Sequence, residues 1–307
     1  MIEGKRIVVT GGAGFIGSHI VEALHSANDV MVLDDFSSGK EQNILGITGI
    51  MVLRGSVTQP RHLATAFQNA DLVFHLAARP SVQQSIADPH GTEKVNLTGT
   101  LNVLQAARDA GVDKVIFSSS CAVYGDARPP VVEDALPRPM SPYAVQKLAA
   151  EHYCRLFDRP GGMRTVCLRY FNVYGPRQDP GSQYAAVVPV FFRDMARKGR
   201  LTVFGTGRQT RDFIYIGDVV RANLLAAEMP GADGKIINIA TGKATSVLEL
   251  GRTVAGVVGK PLRIKRAPAR WGDIRHSSAD ISLARRSLGF RPAVGLEEGL
   301  RIFSTAL

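Results

Sequence analysis

The amino-acid sequence predicts an α/β protein in which a doubly wound parallel sheet precedes a smaller C-terminal α/β lobe. Short apolar runs alternate with helical patterns through the first half, an order typical of parallel strands joined by right-handed crossovers. These runs are continuously apolar, as expected for strands that are covered on both faces. With 307 residues, 45% hydrophobic and 21% charged, the chain can bury a large core, and its composition excludes disorder, collagen and coiled coil.

The individual elements follow in order along the chain. Strands are predicted at residues 6–10, 29–34, 50–54, 72–77, 114–119 and 164–170, and helices at residues 15–27, 59–69, 91–110 and 141–158. After about Asn172, glycine and proline become frequent, and helices at residues 187–198 and 219–229 mix with short strands. We therefore expect one domain over residues 1–172 and a second over residues 173–307. Some segments should cross between them, because no linker-like stretch separates the two parts.

A glycine-rich turn lies between the first predicted strand and the first predicted helix. Gly11, Gly14 and Gly17 fit a TGxxGxxG pattern, which permits a tight turn, a close backbone approach to a diphosphate and close helix–strand packing. The first N–H groups of the helix and its positive dipole end then face the phosphates. The strand before, the helix after and an acid ending the next strand favour a Rossmann-type dinucleotide site over a simple turn.

Asp34 ends the second predicted strand, where a carboxylate can accept hydrogen bonds from both hydroxyls of the adenosine ribose. Such a carboxylate repels a 2′-phosphate, so the expected cofactor is NAD rather than NADP. Asp35 is the weaker candidate for the ribose. Ser37, Ser38 and Lys40 are candidates for the border of the adenosine.

A second constellation combines a hydroxyl, a phenol and an amine. Ser141 and Pro142 begin a predicted helix that places Tyr143 and Lys147 at positions i and i+4, on one face. A cation beside a phenol should lower the pKa of Tyr143 from about 10 and make it a general base near neutral pH. Ser120 follows an apolar strand, at the edge where parallel sheets bind ligands. Taken singly, these features also fit a surface helix and a polar strand end.

Longer motifs extend these signals along the chain. They are TGGAGFIGS at residues 10–18, FHLAA at 74–78, VNLTGTLNVLQAA at 95–107, SSSCAVYGD at 118–126, YAVQK at 143–147, LRYFNVYGPRQ at 168–178 and RDFIYIGDV at 211–219. Together they are far more specific than the glycine motif alone and cover essentially the whole chain. They resemble those of the extended short-chain dehydrogenase/reductases, and among these the NAD-dependent sugar-nucleotide epimerases, closest to the UDP-glucose 4-epimerases.

The resemblance implies a role for each matching residue. The catalytic residues would be Ser120, Tyr143 and Lys147. The NAD-binding residues would be Gly11, Gly14, Phe15, Ile16, Asp34, Leu76, Ala77, Ala78, Asn96, Ser118, Lys147 and Tyr170, with Tyr143 beside the cofactor. The substrate would contact Ser120 and Asn172, a uracil pocket of Val187, Thr202 and Phe204, the diphosphate-binding Arg211 and Arg270, the ribose-binding Asp273, and Ser277.

The activity implied by the resemblance is UDP-hexose 4-epimerisation, by transient oxidation at C4 with bound NAD. UDP-glucose and UDP-galactose would be interconverted. Ser277 matches a position where a bulky Tyr in the family restricts the pocket to unacetylated hexoses, so we also expect turnover of UDP-GlcNAc and UDP-GalNAc. Flanking loops could set the pocket instead. Two departures from the family pattern are Ser56, in place of an Asp near the adenine, and Trp271, in place of the Pro in RPGD.

Several alternatives stay open or are disfavoured. Residues 121–123 (CAV) carry neither the acidic pair of sugar dehydratases nor the Glu of related decarboxylases. A UDP-hexuronic acid 4-epimerase, or another NAD-dependent sugar-nucleotide-modifying enzyme, is the main alternative. A non-catalytic NAD sensor is disfavoured because Ser120, Tyr143 and Lys147 are all present.

The charge and the cysteine content limit which partners and which cellular compartment are expected. The net charge is +10, from 37 Lys and Arg against 27 Asp and Glu, and the excess is concentrated between residues 260 and 307. That stretch has few aromatic residues, so we expect surface charge and no nucleic-acid partner. The absence of an 18-residue apolar run or a signal peptide, and three isolated cysteines, predict a cytoplasmic protein with no membrane partner, disulfide or metal. The family resemblance further implies a homodimer, for which the helices at residues 91–110 and 141–158 are the candidates.

Overall fold

A computed structural model describes residues 2–179, 186–269 and 274–307. Its strands are β1 (Arg6–Thr10), β2 (Asp29–Asp34), β3 (Ile50–Arg54), β4 (Leu72–His75), β5 (Lys114–Ser120), β6 (Arg164–Tyr170), β7 (Asn172–Tyr174), β8 (Leu201–Phe204), β9 (Thr210–Arg211), β10 (Phe213–Tyr215), β11 (Ile236–Ile239), β12 (Thr245–Ser246) and β13 (Ile264–Ala267). Its helices are α1 (Phe15–Leu24), α2 (Pro60–Ala66), α3 (Val82–Ala87), α4 (Pro89–Glu93), α5 (Gly99–Asp109), α6 (Pro142–Phe157), α7 (Val187–Lys198), α8 (Ile216–Glu228), α9 (Val247–Val258), α10 (Ser282–Leu288) and α11 (Leu296–Thr305).

Seven parallel strands form the large sheet, in the order β11-β6-β5-β4-β1-β2-β3. The chain runs outward from β1 to β3 on one side and then returns to β4 on the other side of β1. The carboxyl ends of β1 and β4 therefore flank the point where the strand order reverses, which is the ligand-binding crevice of such sheets. The predicted fold class is confirmed.

Apolar side chains cover both faces of this sheet, as the continuous apolar runs predict. Val9, Val32 and Phe74 belong to a cluster with residues of α1 and α8, whereas Val8 and Phe117 point to the opposite face and pack with residues of α5 and α6. All five side chains are almost fully buried. Fully burying side chains of this size contributes about 1.5–3 kcal/mol each, so the two layers of helices are held firmly to the strands.

The smaller lobe has a core of its own. Phe191, Phe192, Leu201, Leu250 and Phe303 come together from α7, β8, α9 and α11. The short strands pair separately, β10 with β7, β12 with β9 and β13 with β8. Strand β11 and helix α8, which follow residue 172 in the chain, lie on the large sheet, so the chain crosses between the lobes. A domain boundary at residue 172 stays a prediction.

The sequence predicts several element bounds that the structure reproduces, including those of β1, β2, β3, β6 and α7. The predicted helix at residues 91–110 is instead interrupted by a π-helical turn at Lys94–Thr98. This wider turn accompanies an inward Asn96, whose Oδ1 accepts from the backbone N–H of Arg79 at 2.7 Å. Its Nδ2 donates to Gln146 Oε1 at 2.8 Å. Apolar periodicity does not report such a turn, because the helix continues on both sides.

No helix in the described parts of the chain is long and apolar enough to cross a membrane.

Candidate active site

The glycine-rich turn connects β1 to α1 at the crevice. Gly11 has a positive φ of 71°, and a Cβ there would lie 2.7 Å from the backbone N of Ala77. At Gly17 a Cβ would lie 2.1 Å from the carbonyl oxygen of Gly11, so only glycine lets the helix approach the turn. Gly14 caps α1 without a side-chain hydrogen bond. The first N–H groups of α1 are thus presented to an anion, which fits a dinucleotide diphosphate.

Asp34 is fixed at the end of β2, beside this turn. Its Oδ2 accepts from the N–H of Ala13 at 2.9 Å and its Oδ1 from the N–H of Phe36 at 2.8 Å. Burial raises the pKa of Asp34, while these two hydrogen bonds act to lower it. A Cβ at Gly39 would lie 2.9 Å from the carboxylate oxygens, so the loop after β2 packs closely over the carboxylate. The position suits an acceptor for ribose hydroxyls.

Helix α6 contacts three successive residues at the end of β5. Ser141 caps the helix by accepting from the N–H of Ala144 at 3.2 Å, and Pro142 occupies its first position, as the sequence predicts. Lys147 Nζ donates to the carbonyl oxygen of Ser118 at 2.6 Å. The Ser120 side chain, which accepts from the N–H of Ala122 at 3.2 Å, lies close enough to the Tyr143 phenol to affect its pKa. One helical turn beyond Lys147, Glu151 accepts a hydrogen bond from the hydroxyl of Ser119. These contacts hold Ser120, Tyr143 and Lys147 close together.

Burial dominates the titration of this group. It raises the pKa of Tyr143 to about 12 and outweighs the neighbouring Ser120 side chain, which acts to lower that pKa. Burial also lowers the pKa of Lys147 to about 8. The Lys147 ammonium lies 6.0 Å from the Tyr143 ring centroid and 4.7 Å from that of Phe117. The sequence argument that Lys147 brings the pKa of Tyr143 below 10 is therefore wrong for the chain alone, because loss of hydration is the larger effect.

One connected cavity of about 1970 Å³ joins the glycine-rich turn to the smaller lobe. Most of the residues that the sequence predicts for the site line it together. They are Gly11, Gly14, Phe15, Ile16, Asp34, Asp35, Ser37, Ser38, Lys40, Leu76, Ala77, Ala78, Ser118, Ser120, Tyr143, Lys147, Tyr170, Asn172, Val187, Thr202, Phe204 and Arg211. The cavity also reaches Ser56, the departure noted near the expected adenine site.

A few of the predicted residues lie elsewhere. Asn96 does not line the cavity, because its amide is engaged by Arg79 and Gln146. Ser277 does not line it either, and its backbone N–H donates to the carbonyl oxygen of Thr210 at 3.1 Å. Arg270 and Asp273, together with Trp271, lie outside the described residues.

The structure adds cavity residues that sequence reasoning missed, including Arg79, Arg177, Gln178 and Arg193. Arg79 lies in the loop after β4, and β4 borders the point where the strand order reverses. Because parallel sheets bind ligands beside that point, Arg79 could have been predicted as a site residue. Arg177 and Gln178 belong to the quoted motif at residues 168–178 but received no role there.

Within the described ranges, no group of His, Cys, Asp and Glu side chains could hold a metal ion. Cys121 is the cysteine nearest the catalytic hydroxyl, and burial raises the pKa of its thiol to about 12, which makes it a poor nucleophile.

Comparison with known proteins adds independent findings. A family model described as the NAD dependent epimerase/dehydratase family matches residues 7–240. The chain is 39% identical over 298 residues to a putative UDP-glucose 4-epimerase of Methanocaldococcus jannaschii, covering 96% of both chains. It is 38% identical over 302 residues to the UDP-glucose 4-epimerase of Mycolicibacterium smegmatis, again covering 96% of both.

Solved structures of similar proteins cover nearly the whole chain. A UDP-N-acetylglucosamine 4-epimerase of Methanobrevibacter ruminantium, in complex with UDP-N-acetylmuramic acid, has a TM-score of 0.95 at 39% identity and covers 99% of this chain and 98% of its own. A UDP-glucose 4-epimerase of Thermotoga maritima with UDP-glucose has 0.93 at 39%, covering 98% of both. A UDP-glucuronic acid 4-epimerase of Bacillus cereus, with its substrate and NAD, has 0.91 at 34%, also covering 98% of both. The chain is an NAD-dependent enzyme and belongs to the NAD dependent epimerase/dehydratase family.

Proposed function

We propose that this UDP-sugar 4-epimerase interconverts UDP-glucose and UDP-galactose, and also UDP-GlcNAc and UDP-GalNAc. The observation that carries the proposal is the grouping of Ser120, Tyr143 and Lys147 in the cavity that also contains the glycine-rich turn. Asn172 and Arg211 line the same cavity on the side of the smaller lobe. A sugar nucleotide and a dinucleotide can therefore meet at one phenol.

In the proposed reaction, Tyr143 removes the proton of the sugar 4-hydroxyl and later returns it, while Ser120 holds the 4-oxygen. When bound, NAD supplies the hydride acceptor for C4, the hydride donor for the return step, and a positive ring charge. The hydride returns to the opposite face of the 4-keto sugar, so the reaction has no net oxidation. Burial raises the pKa of Tyr143 to about 12. The Lys147 ammonium and the positively charged ring of bound NAD must therefore favour the Tyr143 phenolate during turnover.

The nucleotide end of the substrate is expected in the smaller lobe. Val187, Thr202 and Phe204 line the cavity there and would form the uracil pocket, with Arg211 on the diphosphate. Asn172 Oδ1 is buried and has no hydrogen-bond partner in the described parts of the chain, so it offers an acceptor to a bound ligand. Anchoring at this end leaves the keto sugar able to rotate before the hydride returns.

Acceptance of the 2-acetamido sugars rests on the small side chain of Ser277. Its backbone pairs with Thr210, the residue before the proposed diphosphate ligand Arg211. A similar enzyme with a TM-score of 0.95 is named as acting on UDP-N-acetylglucosamine. In Ser277→Tyr we expect at least a tenfold loss of UDP-GlcNAc turnover with UDP-glucose turnover retained, and Ser277→Ala as the control should change neither. Equal loss for both sugars, or none, would show that loops set the pocket.

A UDP-hexuronic acid substrate is the main alternative, since one similar structure is named for that activity. The extra carboxylate of such a sugar needs a cation. Among the described cavity residues, Arg79 and Arg193 each already face a carboxylate, those of Asp35 and Asp194. Charges compensated in this way favour a neutral hexose over a hexuronic acid.

The test is a panel of UDP-sugars with the products resolved by chromatography. The proposal expects UDP-galactose from UDP-glucose, UDP-GalNAc from UDP-GlcNAc and no turnover of UDP-glucuronic acid. Tyr143→Phe should lower kcat by about 10²- to 10⁴-fold while NAD stays bound, because it removes only the proton transfer. Turnover confined to UDP-glucuronic acid would refute the proposed substrate, and an inert wild-type enzyme with bound NAD would instead indicate a sensor.

We also propose a homodimer that is formed through α5 and α6. Val145 and Leu156 of α6 are 52% and 60% exposed, and they lie about three turns apart on one face of the helix. A second copy of the chain would cover this face. Val145→Glu with Leu156→Glu should produce a monomer in sedimentation experiments, and an unchanged sedimentation coefficient would exclude this interface.

A further inference from the structure

Residues 176–179, which follow β7, reach across to the nucleotide-binding part of the chain at three points. The carbonyl oxygen of Pro176 lies 3.0 Å from His19 Nε2. The Arg177 guanidinium pairs with Glu22 at 2.8 Å, and the Asp179 carboxylate pairs with Lys40 at 2.9 Å. These contacts join residues far apart in the sequence, 157 positions in the case of His19 and Pro176.

The partners of this segment lie on α1 and in the loop beside its N-terminal end. His19 and Glu22 lie on α1 itself. Lys40 lies on the other side of that turn, since its backbone N–H donates to the carbonyl oxygen of Ala13, just before the helix, at 3.0 Å. A segment tied at both places runs along α1 toward the loop beside the N-terminal end of the helix. Residues 177–179 accordingly line the same cavity as Gly14 and Ile16.

Arg177 has two energetically unfavourable features. Its φ is +66°, a left-handed conformation that is strained for a residue with a side chain. Among the residues that the structure describes, its NH1 atom is buried without a hydrogen-bond partner, although NH2 is paired with Glu22. A buried charged donor without an acceptor is costly, and such groups in native proteins call for an explanation. An acceptor supplied by a bound ligand provides one.

The unpaired donor belongs to a cation in a cavity that begins at a diphosphate-binding turn, so the chemistry that fits it is a diphosphate. We propose that residues 176–179 form a strap over the diphosphate of NAD, that Arg177 binds this diphosphate, and that the strap slows release of the cofactor. Epimerisation returns NAD to its starting state, so an enzyme of this kind has no need to release it between turnovers. The inference depends on the cofactor and not on which sugar is the substrate.

The diphosphate of a sugar nucleotide is the other source of the same chemistry, and the experiment separates the two. The variant is Arg177→Met, and the matched control is Arg6→Met. The ion pair of Arg6 with Asp29, at 2.9 Å, is about as exposed as the pair of Arg177 with Glu22, but it lies far from the cavity. Three quantities are measured on the purified proteins: the NAD content, the rate at which bound NAD exchanges with excess labelled NAD, and the Kd for UDP. None of them depends on epimerase activity.

Arg177→Met should exchange NAD about 10- to 100-fold faster, as expected for the loss of one charge-assisted hydrogen bond. Arg6→Met should behave as the wild type, and the Kd for UDP should stay within about twofold. Arg177→Lys should be intermediate, since an ammonium keeps the charge but lacks the planar fork. Glu22→Gln, on the exposed side of α1, loosens the strap without removing Arg177 and should accelerate exchange severalfold even if Arg177→Met does not fold.

Unchanged NAD exchange in either Arg177→Met or Glu22→Gln, each measured on folded protein, would overturn the proposal. So would a weakened Kd for UDP with unchanged NAD exchange, which would assign Arg177 to the sugar nucleotide. If Arg6→Met accelerated NAD exchange as much as Arg177→Met does, the acceleration would reflect a general loss of stability. That result would also overturn the proposal.

Discussion

Replacing Glu151 with alanine tests whether a buried ion pair fastens the catalytic helix to the sheet. The Arg169 and Glu151 side chains are only 3% and 1% exposed, and two hydrogen bonds of 2.8 and 2.7 Å join them. Ser119 Oγ also donates to Glu151 Oε1 at 2.5 Å. The variant therefore leaves a buried guanidinium without its counter-ion and a buried hydroxyl without its acceptor.

The size of the effect follows from this burial. Removing one partner of a buried ion pair costs about 3–5 kcal/mol, and the lost hydroxyl hydrogen bond adds about 1 kcal/mol. For a chain of 307 residues the unfolding entropy is about 0.6 kcal/mol per kelvin, so Tm should fall by about 6–10 °C. Glu151→Gln keeps the shape and one acceptor, and its Tm should fall by less.

Thermal unfolding followed by circular dichroism, with NAD at saturation for every variant, gives the measurement. Glu297→Ala is the matched control, because its pair with Arg301 has the same chemistry but is 62% and 63% exposed. Exposed pairs contribute at most about 1 kcal/mol, so its Tm should fall by less than about 2 °C. Equal Tm values for Glu151→Ala and Glu297→Ala would refute the claim that burial makes the Glu151 pair important.

Two further predictions concern the cofactor-binding turn and the catalytic lysine. Gly17→Ala should weaken NAD binding by at least tenfold in a titration, because its Cβ would lie 2.1 Å from the Gly11 carbonyl oxygen; Gly256→Ala, which meets no atom within 4 Å, is its control. Burial lowers the pKa of Lys147 to about 8 from an ordinary value near 10.5. Between pH 8 and pH 10.5 the unfolded chain therefore binds more protons at Lys147 than the folded chain does. The contribution of Lys147 to the free energy of unfolding consequently rises with pH in this range. The Tm advantage of Lys147→Met over the wild type, both free of cofactor, should therefore shrink from pH 7.5 to pH 10, and a constant difference would contradict a buried lysine.

Local signals in the sequence predict much of this fold. Buried strands such as β1 (Arg6–Thr10) contain continuous apolar runs, and the positions of these runs along the sequence predict their bounds. The start of α6 is marked by a serine cap and a proline, which act within one turn of the chain. The π-helical turn around Asn96 was not predictable in this way, because it depends on partners at Arg79 and Gln146.

The titration of the site also needed the tertiary structure. Spacing places Lys147 near Tyr143 and suggests a lowered pKa for the phenol, but the pKa is raised because both groups are buried beneath other elements. Burial depends on what covers a residue, and spacing within one helix does not report it.

The sequence by itself determined the order of strands and helices along the chain, the glycine-rich turn and the spacing of Tyr143 and Lys147 on one helix, since each depends on neighbours within a few residues. Only the tertiary structure decided that Ser118 and Ser119 meet Lys147 and Glu151 on successive turns of α6, and that Arg177 pairs with Glu22 on α1. Those contacts join distant parts of the chain, and their geometry is set by how the sheet, the helices and the smaller lobe pack together.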